Sequence, residues 1–441
     1  MQAYRDDPAA LAALVEPDRV HRDLYVAPEL FALEDEWLFA RNWIYVGHAS
    51  QVPQAGDFYT TRIGTCPIIM VRHGDGSIRV LINRCAHKGA AVVSEICGRA
   101  GRALRCPYHA WTYELDGALL SMPLKSDYDL AAFAHSPAAM GLRPAGAVAI
   151  RHGFVFARLS AKGPDFHGYF GAALAPLDNL AQRAPDGELV VAGGCLRSII
   201  RCNWKIYVEN IVDPAHAVST HESASQSAAA IGSAMSNDQK EPAVLEQLLP
   251  FGVNYSYFSQ AGARIYSNGH AILGTKASLH SGYAKLPDYE AMLERVHGPD
   301  RAREVLSFAP QNTLFFPNLA FKASPQTVRV VRPLAVDRTL VETWSLMPKG
   351  APDAVLQRTV MYNRLVFSPM SVVAHDDFHV FESIQQALHA PGNEWVSMQR
   401  GYRGDEAEET RDFEDGNDEL ALRNFYRAWQ RLMVAAAEPG A

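Results

Sequence analysis

Along this chain the spacing of apolar and polar positions changes character several times, and each change marks a different kind of element. Up to about residue 50 the apolar residues keep a helical period. Leu30, Leu33, Trp37, Leu38 and Trp43 share one face, and Pro28 suits a first turn. From Gly56 the period falls to two. DFYTTRI (57–63), CPIIMVRH (66–73) and SIRVLINR (77–84) are rich in β-branched residues, and HGDGS (73–77) joins the last two as a hairpin. Short strands and glycine turns continue to about Leu159, and residues 160–197 read as a connector with short helical pieces. A second region opens with RSIIRCNWKIYVE (197–209), which alternates like a strand. Residues 223–245, small and polar, suit a loop or a weak helix. Strand-like runs return at NYSYFS (254–259), ARIYSN (263–268), HAILG (270–274), NTLFFPNLAF (312–321), TVRVVRPLA (327–335) and TLVETWSLMP (339–348), as in an antiparallel sheet with one buried face. A long helical stretch over 354–390 and a last helix over 418–436 follow. The pattern predicts an α+β protein with an N-terminal helical segment at 1–40, a small all-β domain at 41–160 and a larger domain at 161–441.

Composition narrows the partners without altering this outline. The 441 residues are 48% hydrophobic and 20% charged, as in an ordinary globular protein with a sizeable core. A formal net charge of −7 and the lack of a basic stripe with interleaved aromatics argue against nucleic acid. Charges and prolines interrupt the opening MQAYRDDPAALAALVEP, so it lacks a secretory core, and no apolar run is long enough to span a membrane. A cytoplasmic location is expected. There the cysteines stay reduced, and Cys97 is expected to be a free thiol.

Two clusters carry chemistry. Cys85 and His87, then Cys106 and His109, are spaced C-x-H and C-x2-H. Such a set can hold zinc or a Rieske [2Fe–2S] centre. Zinc sites more often pair like residues within one chelate loop. Here each loop offers one thiolate and one imidazole, which suits two irons, one with both thiolates and one with both imidazoles. The second cluster, in DPAHAVSTH (213–221), brings together Asp213, His216 and His221, a donor set suited to a ferrous ion with open positions. Five residues apart, the two imidazoles would sit about 140° apart on a regular α-helix. The helix must therefore carry a π-type bulge between them or end near Val218–Thr220. Asp213 followed by Pro214 also reads as a helix N-cap.

RCAHKGA (84–90), CPYHAWTYELDG (106–117), NWKIYVEN (203–210) and DPAHAVSTH together resemble the large (α) subunit of Rieske non-haem iron aromatic ring-hydroxylating oxygenases. Looser agreement, in FFPN, RPLAVDRT, HDDFHVFESIQ and EWVSMQRGY, carries the resemblance over nearly the whole chain. It implies a Rieske domain beside a catalytic domain of helix-grip (START-like) fold, an antiparallel sheet wrapped by helices. It implies Cys85, His87, Cys106 and His109 on the cluster, and His216, His221 and Asp377 on a mononuclear Fe(II), with Asp376 the neighbour to be told apart from Asp377. His375 and His379 would be flanking or surface groups. Asp213 becomes an electron-transfer bridge from a Rieske histidine of the next subunit to His216 of its own chain. Ala215 stands where the family usually has an aromatic residue.

The resemblance further implies a terminal oxygenase component. It would use O2 and outside electrons to hydroxylate, and most readily cis-dihydroxylate, an aromatic substrate, including the class of aromatic acids. A Rieske monooxygenase or demethylase is the alternative, and a bare electron carrier a more distant one. No G-x-G-x-x-G is present, so NAD(P)H would act only through a partner reductase or a ferredoxin. Assembly would be a homotrimer or α3β3 with a small β subunit. Candidate pocket walls are Val212, Ala217, Ala229–Ile231, Leu273, Phe316, Asn318 and Phe367, and Arg264 is either a surface residue or a carboxylate anchor.

Overall fold

A computed structural model describes residues 4–128, 140–235, 242–280, 286–404 and 410–438. The chain forms two compact units, one of Phe39–Phe166 and one that joins Met1–Leu38 to His167–Ala441.

The smaller unit is built from short antiparallel strands. Strands β1 (Ile44–His48), β2 (Asp57–Ile63), β3 (Cys66–Arg72), β4 (Ile78–Ile82) and β5 (Cys97–Arg99) are followed by β6 (Ala103–Arg105), β7 (Thr112–Glu114), β8 (Leu119–Ser121), β9 (Ala147–Arg151) and β10 (Phe154–Arg158). They form three sheets, ordered β4-β3-β2-β5, β8-β7-β6 and β9-β10-β1. Ile69, Val71, Leu81, Leu104, Trp111 and Tyr113 pack in one core with Cys85 and Cys106. The two cysteine loops leave the ends of β4 and β6, so the sheets that bury these apolar side chains also fix the loops.

The larger unit is organised on one antiparallel sheet. Its strands are β11 (Leu189–Ile200), β12 (Ala263–Ile265), β13 (Ala271–Leu273), β14 (Asn312–Phe315), β15 (Leu319–Ala323), β16 (Gln326–Ala335), β17 (Arg338–Pro348) and β18 (Arg411–Phe413). The spatial order is β11-β17-β16-β15-β14-β13-β12-β18. A bulge in β11 falls between Ala192 and Cys195, where Gly193 and Gly194 both have positive φ. A Cβ on Gly193 would come within 2.6 Å of Val360, so the bulge lets a helix sit close on the sheet. The helices used below are α1 (Trp204–Val212), α2 (His216–Thr220), α3 (Glu222–Ala234), α4 (Tyr255–Ala261), α5 (Asp353–Val366), α6 (Val372–Ala387) and α7 (Leu420–Ala437). Helix α1 packs on β13, β14 and β16, and α5 on β11, β16 and β17.

Several expectations need correction. Residues 204–209 are helical, and β11 starts at Leu189, inside the expected connector. Asn203 caps α1 by accepting from Lys205 N at 3.1 Å, and Trp204 to Val208 are all buried. Burial on every side hides the helical period. NYSYFS is likewise helix α4, capped by Asn254, whereas residues 222–234 form α3, the helical one of the two readings for 223–245, of which 236–241 lie outside the described residues. The stretch over 354–390 is two helices, separated where Ser371 caps α6.

The N-terminal segment is tied to α1 and α7 by a buried carboxylate. Glu34 accepts from Lys205 Nζ at 2.6 Å and from the indole N–H groups of Trp204 and Trp429 at 2.8 Å each. Among the described residues, no helix is long and apolar enough to cross a membrane.

Candidate metal centres and cavity

In the smaller unit the loops after β4 and β6 bring Cys85, His87, Cys106 and His109 to one place. Cys85 N donates to Ala90 O, and Gly89 N donates back to Cys85 O at 2.9 Å, with Gly89 at φ +78. Cys106 N donates to Trp111 O, and Ala110 N to Cys106 O. These turns leave the two thiols buried and set the His87 and His109 ring centroids 4.5 Å apart. Trp111 stacks on His87 at 5.0 Å. Tyr113 Oη lies 3.0 Å from Cys85 Sγ, and burial beside that sulfur pushes the phenol pKa up. His87 Nδ1 and Trp111 Nε1 are buried without a hydrogen-bond partner. Two thiols, two imidazoles and an orphaned ring nitrogen fit a Rieske cluster. Cys97, in β5, is an exposed free thiol.

In the larger unit, α2 ends at Thr220, and His221 (φ −104, ψ 18) is the non-helical residue between α2 and α3. That break turns both imidazoles toward Asp377 on α6. His216, His221 and Asp377 each offer a ligand atom, and these atoms all lie within 4.8 Å of one another. His221 Nε2 is 3.4 Å and His216 Nε2 is 3.7 Å from Asp377 Oδ1. The His216 Nδ1–H donates to the Asp213 backbone carbonyl, which fixes a tautomer with the Nε2 lone pair facing the group. Asn210 at the end of α1 donates to His216 Nε2 at 2.9 Å and to Asp377 Oδ1 at 3.2 Å.

The electrostatics suit a cation. Burial, reinforced by His216, pulls His221 down to about 3, which leaves it neutral and able to donate a lone pair. Burial pushes the Asp377 carboxyl up to about 6, opposed by His216, Asn210 and Arg329. A bound cation would lower that pKa again and favour the charged carboxylate further. Asp376 lies 3.7 Å from His221 Nδ1, away from the convergence of the other three. His375 and His379 are exposed on α6.

The Asp213 carboxylate has two partners within the chain. Asp213 ends α1, and Ala215, not Asp213, stands at the N-cap of α2. Its Oδ1 accepts from Ala215 N at 3.1 Å and from Arg400 Nη2 at 2.7 Å. Within the chain, therefore, its backbone carbonyl rather than its carboxylate holds His216.

Beside the triad lies a cavity of about 520 Å³, counting its solvent-open part, whose walls include Phe251, Phe258, Leu279, Val366 and Phe367. Of the residues expected to line it, Ala217 and Phe367 do so. Val212 is buried in the core at the end of α1 instead. Leu273 is a buried strand residue one step removed, its carbonyl bonded to Gln311 N, and Gln311 does face the cavity. Phe316 is stacked on Phe425 and tilted against Trp204, and Asn318 is buried on the β14–β15 turn. Ala229–Ile231 are exposed on α3. Arg264 is ion-paired with Asp412 at the sheet edge, the surface reading. Sequence reasoning missed Asn210, Asn312, Lys322 and Arg329 in this wall. The available signal was a cationic residue inside buried strand sequence, Lys322 in β15 and Arg329, with Arg332, in β16.

Residues 177–435 match the family model described as "Ring hydroxylating alpha subunit (catalytic domain)", and residues 42–134 match "Rieske [2Fe-2S] domain". The chain belongs to the ring-hydroxylating α-subunit family. It is thus an oxidoreductase of the ring-hydroxylating dioxygenase α-subunit family, whose cofactors are a Rieske [2Fe–2S] cluster and a mononuclear iron that works with O2. It is 28% identical over 439 residues to the anthranilate 1,2-dioxygenase large subunit of Acinetobacter baylyi, covering 94% of this chain and 89% of that one. It is 29% identical over 382 residues to the large oxygenase component of the naphthalene 1,2-dioxygenase system of Pseudomonas aeruginosa, covering 85% and 80%. The crystal structure of naphthalene 1,2-dioxygenase from Rhodococcus sp. bound to indole superposes with a TM-score of 0.74 at 25% identity, covering 95% of this chain and 94% of that one. A quaternary ammonium Rieske monooxygenase shares the fold at 18% identity, with a TM-score of 0.64 and coverage of 99% of each chain.

Proposed function

We propose that this ring-hydroxylating α subunit is the terminal oxygenase of a multi-protein system that cis-dihydroxylates an aromatic ring. In this reading a separate reductase, directly or through a ferredoxin, supplies the electrons. The observation that carries it is the convergence of His216, His221 and Asp377 on a cavity walled by Phe251, Phe258, Leu279 and Phe367. A ferrous ion held there would supply redox chemistry toward O2 next to a bound ring. Cys85 and Cys106 would hold one iron of the Rieske cluster, and His87 and His109 the other.

The chain's own groups would do the rest. The Asp213 carbonyl keeps His216 in one tautomer, and burial keeps His221 neutral. Asn210 orients the Asp377 carboxylate, and the His216 Nε2 lone pair that it also meets would serve the iron instead. The apolar walls take the faces of a ring and keep water off it. The Asp213 side chain is 22% exposed beside Arg400 and stands as the proposed contact for a Rieske histidine of a neighbouring subunit, in a homotrimer or an α3β3 assembly.

Metal analysis and product analysis with a reconstituted reductase test the reading. About three irons per chain with acid-labile sulfide are expected, together with a cis-dihydrodiol from at least one aromatic compound. A mono-hydroxylated or dealkylated product would assign monooxygenase chemistry instead. A fully loaded enzyme that oxidises no ring would sink the proposal. Asp213→Ala should keep the visible Rieske spectrum and lose turnover, and retained turnover removes the bridging role.

A further inference from the structure

The cavity wall holds two cations that the metal centre does not use. Lys322 on β15 and Arg329 on β16 are 2% and 4% exposed. Lys322 pairs with Thr327 across the two strands, so Arg329, two residues further along β16, lies on the same face as a diagonal neighbour. Two like charges on one buried face repel each other and have lost their water. Their partners are neutral. Lys322 Nζ donates to Tyr362 Oη at 2.7 Å, and Arg329 Nη2 donates to Asn312 Oδ1 at 2.6 Å. The aromatic rings of Tyr362 and Phe367 lie 4.8 Å from Lys322 Nζ and Arg329 Cζ respectively. Arg329 Nε is buried with no acceptor.

Among the described residues neither cation has an ion-pair partner in contact, and of the two carboxylates in the cavity wall only Asp377 feels the Arg329 charge, at longer range. Asp377 faces the imidazoles and Asp213 is bonded to Arg400. Burial, with Arg329 adding to it, pulls Lys322 well below the ordinary lysine range, and a carboxylate placed beside it would favour its protonated form. A cavity evolved for a neutral hydrocarbon gains nothing from two buried donors that a ring cannot satisfy. A substrate carrying a cation would be repelled.

We propose that Arg329 and Lys322 form a carboxylate subsite, so that the preferred substrates are aromatic acids whose ring lies beside His216, His221 and Asp377. A planar carboxylate matches the fork of the guanidinium and leaves an oxygen for the lysine. The proposal rests on reading the triad as the oxidising centre, and its test keeps the two separable.

Calorimetric titration of the holoenzyme with benzoate and benzamide, and with phenylacetate and phenylacetamide, compares charged and neutral ligands of nearly the same shape without turnover. The acid of at least one pair should bind roughly 10- to 100-fold more tightly than its amide. In Arg329→Gln that preference should fall to within about threefold, whereas Arg329→Lys keeps part of it. Lys322→Met should lower the preference by itself, which gives a second reading if the arginine variant does not fold. An unchanged visible Rieske spectrum together with about three irons per chain reports that each variant is loaded. Equal binding of acid and amide in both pairs, tighter amide binding, or no binding at all overturns the carboxylate subsite. Neutral rings converted to cis-diols would then still support the oxygenase reading. A clear preference for the acids, with no oxygenated product from any ring, supports the subsite and sinks the oxygenase reading.

Discussion

Replacing Lys205 with Met should destabilise the larger unit by several kcal/mol, as much as deleting a large core side chain. The Lys205 and Glu34 side chains are 0% and 1% exposed, with Nζ 2.6 Å from Oε1. The same carboxylate takes one hydrogen bond from each of two indoles, Trp204 and Trp429. Removing the ammonium leaves a buried carboxylate with two neutral donors, which costs about 3–5 kcal/mol. Glu34→Gln should cost less. Burial already draws the Lys205 pKa down and the Glu34 charge holds it up, so without that charge the lysine can shed its proton. The double variant leaves no buried charge, and its cost should fall below the sum of the singles by about 2 kcal/mol or more. Urea titration followed by tryptophan fluorescence measures this, because Trp204 and Trp429 both touch the carboxylate. Additivity of the two single effects within about 0.5 kcal/mol would refute the reasoning. The result bears on function because α1 starts at Trp204, carries Asn210 and delivers Asp213.

Other outcomes follow from the same geometry. Asp377→Ala should abolish retention of the mononuclear iron while the Rieske spectrum persists. Asp376→Ala should retain that iron, and equal loss in the two variants, measured by iron-to-sulfide ratio, would undo the assignment. Burial lifts Glu209 to about 7, against the hydrogen bonds from Tyr25 and Tyr426. A carboxyl whose folded pKa is raised binds its proton more tightly when folded. Stability from this group is therefore present below about pH 5 and lost as pH rises through 7. Glu209→Gln should flatten that part of a pH series of urea midpoints. Cys97, exposed in β5, should react with a maleimide without any change in the Rieske spectrum.

The metal-type residues were legible because their chemistry is local. Cys85 and His87, and Cys106 and His109, are held on single turns, and the two histidines of 216–221 demand a break that the backbone supplies at His221. Asp377 was reached through family resemblance, since only packing of α6 brings it to α2. Strand readings failed at 204–209, where a helix buried on every side has too little polar face to show its period, and at 254–259, where only Phe258 and Ala261 of α4 are buried, although the caps Asn203 and Asn254 were there to be read.

By itself, the chain's order of residues determined two metal-type sites, the antiparallel character of both units and the absence of a nicotinamide-binding motif. These follow from spacings of a few residues, over which backbone geometry is nearly fixed. Only the tertiary structure decided which side chains wall the cavity and which cations face into it. Lys322 and Arg329 share a face because β15 and β16 pair in one register, and a shift of that register by one residue would separate them. The carboxylate of Asp213 was likewise assigned to Arg400 by a contact spanning nearly half the chain. Such long-range pairings are set by the packing of whole elements, and no local pattern encodes them.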